Sequence, residues 1–121
     1  MTGYEVLGSE PAGEGWVLAV RIPADSPLFA GHFPGHPILP GVAHLGLVTR
    51  ALSDWRGREV ALAAVPALKL RRPVGPGETV EVCLAAPGED GSVGFSLTRD
   101  GLSLSRGTVI PGEPGGAGAW R

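Results

Sequence analysis

Apolar and polar residues alternate near the beginning of the chain. Trp16, Leu18, Val20 and Ile22 occupy every second position, with less apolar residues such as Arg21 between them. A period of two is typical of a β-strand with one buried face. Residues 4–7 show a weaker form of the same pattern. The sequence therefore predicts two strands at the start, the second of which is the stronger.

The pattern changes to a helical one between residues 42 and 55. Its apolar positions recur three and four residues apart, and further apolar residues fill the other sides. Pro40 precedes the segment, and Gly57 can supply the left-handed residue that ends a helix. Because a helix that is apolar nearly all round is normally buried, we predict one buried helix over residues 42–55.

Only strand patterns follow the helix. Asp100-Gly101 is a strong signal for a two-residue hairpin turn between the last two strands. The order of two strands, one helix and a run of antiparallel strands predicts an α+β domain in which a sheet wraps around the helix. We place this single domain at residues 1–111 and a flexible Gly/Pro-rich tail at residues 112–121. The predicted later strands are residues 60–65, 67–71, 79–84, 93–97 and 102–110.

Composition and charge exclude several classes of protein. The 121 residues are 43% hydrophobic and 18% charged, with a formal net charge of −2. This composition fits one folded domain and lacks the basic excess of a nucleic-acid-binding protein. No apolar run reaches the roughly 20 residues that span a bilayer, and the first residues lack the features of a signal peptide. With a single cysteine, Cys83, a cytoplasmic location is expected.

The candidate catalytic segment is residues 29–42, with the sequence Phe-Ala-Gly-His-Phe-Pro-Gly-His-Pro-Ile-Leu-Pro-Gly-Val. Its prolines fix φ and its glycines permit turns, which predicts a stiff loop that ends on the helix N-terminus. The free N–H groups there, near Gly41 and Val42, can stabilise a developing negative charge. The imidazole of His32 can remove a proton next to a thioester carbonyl. This combination suits a reaction that passes through an enolate-like oxygen.

The same segment resembles the signature of bacterial 3-hydroxyacyl-acyl-carrier-protein dehydratases, the FabZ and FabA group of hotdog-fold proteins. The stretch Lys-Leu-Arg-Arg-Pro-Val-Gly-Pro-Gly-Glu, residues 69–78, resembles a second element of that family. The resemblance implies a lyase that converts 3-hydroxyacyl thioesters into trans-2-enoyl thioesters, with His32 as catalytic base and no cofactor. It also implies a homodimer in which His32 faces the other chain's helix. The acyl chain would contact Phe33, Gly41, Val42, Gly46 and Thr49.

The sequence departs from the family at the position of its second catalytic group. That group is a carboxylate on the helix, and Gly46 stands at the corresponding place. Thr49, one turn further on the same face, is a candidate to hold a water instead. His44 is about 200° away around the helix and points elsewhere. The sequence of the helix is also similar to that of the dehydratase-like proteins of aryl polyene and related pathways.

Three alternatives remain open at this stage. One is an acyl-thioesterase on the same fold, and another is a non-catalytic subunit that pairs with a second hotdog chain. A metal site built from the three histidines has little support, because no cysteine or carboxylate joins them at ligand spacing. His36 is predicted to be a surface residue of the loop. The predicted partner is an acyl carrier protein or a coenzyme A thioester, with a basic face formed by Lys69, Arg71, Arg72, Arg50, Arg56 and Arg58.

Overall fold

A computed structural model describes residues 3–30, 35 and 37–114. Within these ranges six strands form one antiparallel sheet in the order β1-β2-β4-β5-β6-β3, and one α-helix packs on it. The predicted α+β hotdog architecture is confirmed, with two strands, one helix and then antiparallel strands in that order. The elements are β1 (Glu5–Ala12), β2 (Gly15–Arg21), a 3₁₀ turn (Pro27–Phe29), α1 (Gly41–Arg56), β3 (Ala61–Leu70), β4 (Thr79–Leu84), β5 (Val93–Arg99) and β6 (Leu102–Gly112).

The alternation in the strands places one apolar face of the sheet against the helix. In β4, Val80, Val82 and Leu84 are buried, whereas the residues between them are exposed or half-buried. Leu97 of β5 pairs with Val82 and is also fully buried. The predicted hairpin is present, with Asp100 at φ 53° and Gly101 at φ 79°. Local patterns thus account for the central strands.

Strand β3 differs from the prediction, because one strand replaces the two that were expected. The register between β3 and β6 shifts between Leu62 and Ala64 and again between Ala64 and Ala67. Pro66 lies in the second irregularity and has no N–H to donate, so the pairing is interrupted while the strand continues. An edge strand tolerates such an interruption. β3 is an edge strand of this sheet.

The ends of helix α1 agree with the prediction to within one residue. Pro40 is the N-cap, and Gly57 ends the helix in the left-handed conformation at φ 69°. The backbone N–H of Gly57 donates to the carbonyl of Asp54 at 3.3 Å. Among the described residues no helix is long and apolar enough to cross a membrane.

The prediction that the helix is buried all round is wrong for the single chain. One face packs on the sheet and is buried, whereas Val42 on the opposite face is 75% exposed. Gly46 is exposed as well. The physical reason is that one sheet covers only one side of one helix. The buried helical residues are His44, Leu47, Val48, Ala51 and Leu52.

The sheet extends further toward the C-terminus than the strand pattern indicates. β6 ends at Gly112, and a carboxylate oxygen of Glu113 lies 3.0 Å from Nη1 of Arg58. The boundary at residue 111 therefore falls inside a strand. Residues 115–121, the rest of the predicted tail, lie outside the described residues.

Gly107 in β6 makes a contact that predicts a large effect on stability. A Cβ there would lie 2.1 Å from the carbonyl oxygen of Ala67 and 2.9 Å from the ring of Phe95. We expect Gly107→Ala to lower the free energy of unfolding by about 1–3 kcal/mol, because backbone must shift. Urea unfolding followed by circular dichroism measures this change.

Gly94, in the neighbouring strand, supplies the matched control. Its Cβ would meet only the Cβ of Ala85, at an ordinary 3.9 Å. Gly94→Ala should leave stability unchanged or raise it by about 0.4–1 kcal/mol, since alanine reduces the freedom of the unfolded chain. Equal unfolding midpoints for the two variants would contradict the tight β3–β6 contact.

Candidate active site

The candidate site is centred on the N-terminus of α1. The backbone N–H groups of Ala43 and His44 donate to the carbonyl of Pro40, at 2.9 and 3.3 Å. Gly41 and Val42 find no acceptor for their N–H groups among the described residues. Two unpaired donors at a helix N-terminus favour a negative charge beside them. The donors predicted from the sequence are therefore present at this end of the helix.

Two open cavities meet on the outer face of the helix at Val42 and Gly46. One has a volume of about 490 Å³ and the other about 390 Å³. Both are lined mostly by apolar side chains, as small-molecule sites usually are. The first is lined by Tyr4, Pro27, Leu28, Ala30, Pro40 and Ala43, and the second by Leu45, Thr49, Glu59, Val60, Ala61, Leu62 and Pro114, in each case together with Val42 and Gly46.

Gly46 leaves free space at the position where the family resemblance implies a carboxylate. A Cβ at Gly46 would meet no described atom within 4 Å outside the backbone of its own helix. Val42, Gly46 and Thr49 are spaced by four and three residues, so they share one face of the helix. The structure thus brings together three of the predicted substrate-binding positions, with Gly41 at the helix start beside them.

The hydroxyl of Thr49 is already engaged by the helix. Its Oγ1 donates to the carbonyl of Leu45 at 2.9 Å. With its proton used in this way, the hydroxyl can accept a hydrogen bond from a water but cannot donate one to it. Thr49 is therefore suited to hold a water rather than to supply a proton.

Sequence reasoning missed two polar residues that line the cavities. Tyr4 lies against the first cavity and Glu59 against the second. Tyr4 is at the start of the chain and Glu59 follows the helix, so no local spacing connects either of them with Gly46. Only the packing of the segments on α1 brings them there.

Asp54, the carboxylate nearest the helix end, is committed to structural contacts. Its Oδ2 accepts from Oγ of Ser9 at 2.6 Å, and its Oδ1 lies 2.9 Å from Nε of Arg50. The indole of Trp16 donates to the same serine at 2.9 Å. The hydrogen bond and charge of Asp54 raise the pKa of Arg50. This network joins β1 and β2 to the helix and leaves Asp54 unavailable as the site's acid.

His44 points away from the cavities, as predicted, and into the protein. It is 2% exposed, and its Nδ1 lies 2.8 Å from Oγ of Ser105. Burial lowers the pKa of His44, because the charged imidazolium is poorly solvated there. Within the described part of the chain, no three metal-binding side chains cluster together.

His32 and Phe33, the predicted base and its neighbour, lie outside the described residues, as does His36. The elements on either side of them are described. The 3₁₀ turn before them contains Phe29, which is buried, and the segment after them leads into Pro40 and the helix. Leu39 in that second segment is 2% exposed.

Only some residues of the predicted basic face are free of ion pairs with acidic side chains. Arg50 pairs with Asp54 and Arg58 with Glu113, so these two charges are locally neutralised. Lys69, Arg71 and Arg72 are exposed and lie together at one cavity of about 400 Å³. The free part of the predicted face therefore consists of the three residues at the end of β3 and of Arg56, which is exposed and forms no ion pair among the described residues.

Cys83 lies on the outer face of the sheet, opposite its buried neighbours Val82 and Leu84. It is half-buried, and burial raises the pKa of its thiol. A thiol with a raised pKa is a poor nucleophile at neutral pH. This agrees with the prediction of an unreactive cysteine.

Comparison with known proteins shows the family of this chain. Residues 9–108 match the ApeI-like family, described as ApeI dehydratase. The chain is 36% identical over 111 residues to the 3-hydroxyacyl-[acyl-carrier-protein] dehydratase FabZ of Roseiflexus castenholzii, covering 86% of this chain and 71% of that one. It is 38% identical over 84 residues to FabZ of Latilactobacillus sakei, covering 64% and 59% of the two chains.

Among solved structures, the dehydratase heterocomplex ApeI:P from Xenorhabdus doucetiae has a similar fold. The TM-score is 0.77 at 22% identity, covering 89% of this chain and 96% of that chain. The match to the FabZ of Desulforamulus reducens covers 61% of that relative, so the chain spans about three fifths of several curated relatives. The family match over residues 9–108 covers most of the sequence, and the chain therefore belongs to the ApeI-like family of hotdog dehydratases.

Proposed function

We propose that this protein is a lyase that dehydrates 3-hydroxyacyl thioesters to trans-2-enoyl thioesters in fatty-acid, polyketide or polyene biosynthesis. The observation that supports it best is the open apolar groove at Val42 and Gly46, which adjoins the α1 N–H groups that have no acceptor among the described residues. The Gly-His-Phe-Pro element, residues 31–34, precedes this helix by six residues in the sequence. Family membership over residues 9–108 supports the same reaction class.

In the proposed mechanism His32 removes a proton from the carbon next to the thioester carbonyl. The N–H groups of Gly41 and Val42 stabilise the negative charge that develops on the carbonyl oxygen. The electron pair then forms the C2–C3 double bond, and the C3–O bond breaks. The 3-hydroxyl leaves as water after it receives a proton. Phe33, Val42, Gly46 and Thr49 are the proposed contacts of the acyl chain.

Gly46 offers no carboxyl group that could give a proton to the departing hydroxyl. Thr49 can accept a hydrogen bond from a water in the adjoining cavity, and that water can then donate to the hydroxyl. This acid–base chemistry requires no cofactor and no metal. A proton relayed through water is less effective than a fixed carboxylic acid, so turnover should be slower than in relatives with a helix carboxylate.

The proposed substrate carrier is an acyl carrier protein, with coenzyme A thioesters as the simpler alternative. Lys69, Arg71 and Arg72 are exposed together at the end of β3. Acyl carrier proteins are acidic, so this basic group would favour their approach.

Within the described residues no helix could span a membrane. We propose that the reaction takes place in the cytoplasm.

The protein is proposed to act as a homodimer, or as a heterodimer with another hotdog chain. β3 is an edge strand with Leu68 38% and Leu70 53% exposed, and Val42 beside it is 75% exposed. An exposed apolar edge strand favours pairing with another strand. A second chain would cover these residues and bring its own loop to the Gly46 face.

We expect light scattering to show a dimer at micromolar concentration. Leu70→Lys should shift it toward monomer, because a charge on the edge strand opposes pairing. Leu102→Lys is the matched control, since Leu102 is 52% exposed and lies at the hairpin rather than on β3. A wild-type protein that remains monomeric would contradict the homodimer and leave a second hotdog chain as the required partner.

One other function has an observation in its favour. Gly46 removes the helix carboxylate, and the fold is shared with a dehydratase heterocomplex. A non-catalytic subunit that pairs with a second hotdog chain would explain the missing acid. Retention of the Gly-His-Phe-Pro element argues against it. A thioesterase is less well supported, because such enzymes usually activate water with an acid on the helix.

Incubation with a 3-hydroxyacyl carrier-protein thioester, followed by mass spectrometry, separates these functions. The dehydratase predicts loss of the mass of one water with the thioester intact. A free acid would indicate a thioesterase, and an unchanged substrate would favour the non-catalytic subunit. An N-acetylcysteamine thioester of the same acid tests whether the carrier protein is required.

A further inference from the structure

We propose that His44 is a positioning residue, which holds the N-terminus of α1, and with it the adjoining Leu39 peptide, in the geometry that the reaction needs. This role deepens the proposed function and rests on it. His44 is not a catalytic residue, because its side chain faces the sheet whereas Gly46 and the cavities lie on the other side of the helix.

The contact between His44 and Ser105 is unusual for this core. Among the described residues the buried polar or charged side chains are Ser26, His44 and Ser105. Two of the three pair with each other, through His44 Nδ1 and Ser105 Oγ at 2.8 Å. Ser105 is fully buried on β6. The bond therefore links the first turn of the helix to a strand inside an otherwise apolar interior.

The segment that precedes the helix packs beside the same imidazole. His44 and Leu39 line one small cavity, and the N–H of Leu39 donates to the carbonyl of Val74 at 2.8 Å. The Leu39 peptide is thus held by the segment before β4 and adjoins the first turn of the helix. Leu39 is two residues before Gly41, whose N–H is one of the proposed donors to the thioester oxygen. A displaced Leu39 would displace that donor.

Stability alone does not account for a polar pair at this place. Replacing both partners of a buried hydrogen bond by apolar groups of similar shape is often nearly neutral. A satisfied buried polar contact instead fixes one arrangement of the elements that it joins. Here those elements are α1, β6 and the segment between the predicted base and the helix.

The surroundings of His44 favour the neutral ring. A cavity of about 260 Å³ beside it is lined by Arg71 and Arg72, and the remaining described lining residues are Ile38, Leu39, Leu70 and Pro73. No described carboxylate lines this cavity, so no opposite charge there stabilises an imidazolium, and burial outweighs the opposing effect of the Leu39 backbone on the pKa of His44. A neutral ring keeps one nitrogen as donor and one as acceptor, so Nδ1 can take either role toward Ser105.

The test compares His44→Leu, His44→Gln and a core control, Leu52→Val, in steady-state kinetics on the 3-hydroxyacyl thioester. We expect His44→Leu to lower kcat about ten- to hundred-fold with little change in KM, because a small misplacement of reacting groups has effects of this size. His44→Gln should recover most of kcat, since its amide can both donate and accept. Leu52→Val weakens the core at the far end of the helix and should leave kcat near the wild-type value.

Hydrogen exchange at the Leu39 and Gly41 amides supplies a readout that does not depend on activity. Faster exchange in His44→Leu, but not in Leu52→Val, is expected. A His44→Leu protein with wild-type kcat and wild-type exchange would overturn the proposal, and so would an equal loss of kcat in both variants. If the wild-type protein shows no turnover but exchange is faster in His44→Leu, the proposed reaction is refuted, whereas the hold on the Leu39 segment is supported.

Discussion

Replacing His32 with alanine is expected to reduce turnover about 10²–10⁴-fold, the usual contribution of a positioned general base. The loop is predicted to take its geometry from its prolines and glycines rather than from the imidazole. The unfolding temperature should therefore remain close to the wild-type value. Steady-state kinetics and a thermal melt on the same preparation measure both quantities.

His36→Ala is the matched control, because His36 belongs to the same loop and is predicted to lie at its surface. It should retain turnover within a few-fold of wild type. If His32→Ala is as active as the wild-type protein, the base lies elsewhere. If both histidine variants lose activity together with their fold, the loop is structural and the assignment of His32 loses its support.

The second large effect that we expect is a gain of activity when a carboxyl group is placed on the helix. Gly46→Glu should increase dehydration of a short 3-hydroxyacyl thioester, because a fixed acid then protonates the departing hydroxyl. Among the described residues, no atom outside the backbone of the same helix lies within 4 Å of a Cβ at this position, so the Cβ of the new side chain meets no described neighbour. In an apolar site at the proposed dimer interface the pKa of the new carboxyl should rise, as a proton donor requires.

Two further variants separate the acid from the loss of glycine. Gly46→Gln has nearly the same shape without an acidic proton, and Gly46→Ala changes only the helix propensity. All three should stabilise the helix by up to about 1 kcal/mol, since glycine is unfavourable in a helix interior. Only the glutamate should gain activity. A well-folded Gly46→Glu protein that loses wild-type turnover would show that Gly46 provides space for a bulky or rigid acyl chain.

The sequence predicted the features that depend on local pattern. Strand 79–84 and the hairpin at Asp100-Gly101 follow from alternation and turn chemistry, and the helix end follows from Gly57. The features that it missed depend on contacts between distant segments. Tyr4 and Glu59 reach the cavities only because their segments pack on α1.

Two errors have the same physical origin. The apolar outer face of α1 predicted burial, but burial requires a covering surface that one sheet does not supply, and Val42 is 75% exposed. The apolar pattern predicted two strands, at residues 60–65 and 67–71, but an edge strand can continue past Pro66, which donates no hydrogen bond. Apolar pattern indicates which residues favour burial and does not show whether this chain or another one covers them.

The central claim is that this chain removes a proton from C2 and expels the 3-hydroxyl. A 3-hydroxyacyl carrier-protein thioester with both C2 hydrogens replaced by deuterium tests it directly by mass spectrometry. The account predicts an enoyl thioester that retains one deuterium, and it predicts that His32→Ala forms this product far more slowly. A free acid that keeps both deuterium atoms, or an unchanged substrate after prolonged incubation, would contradict it.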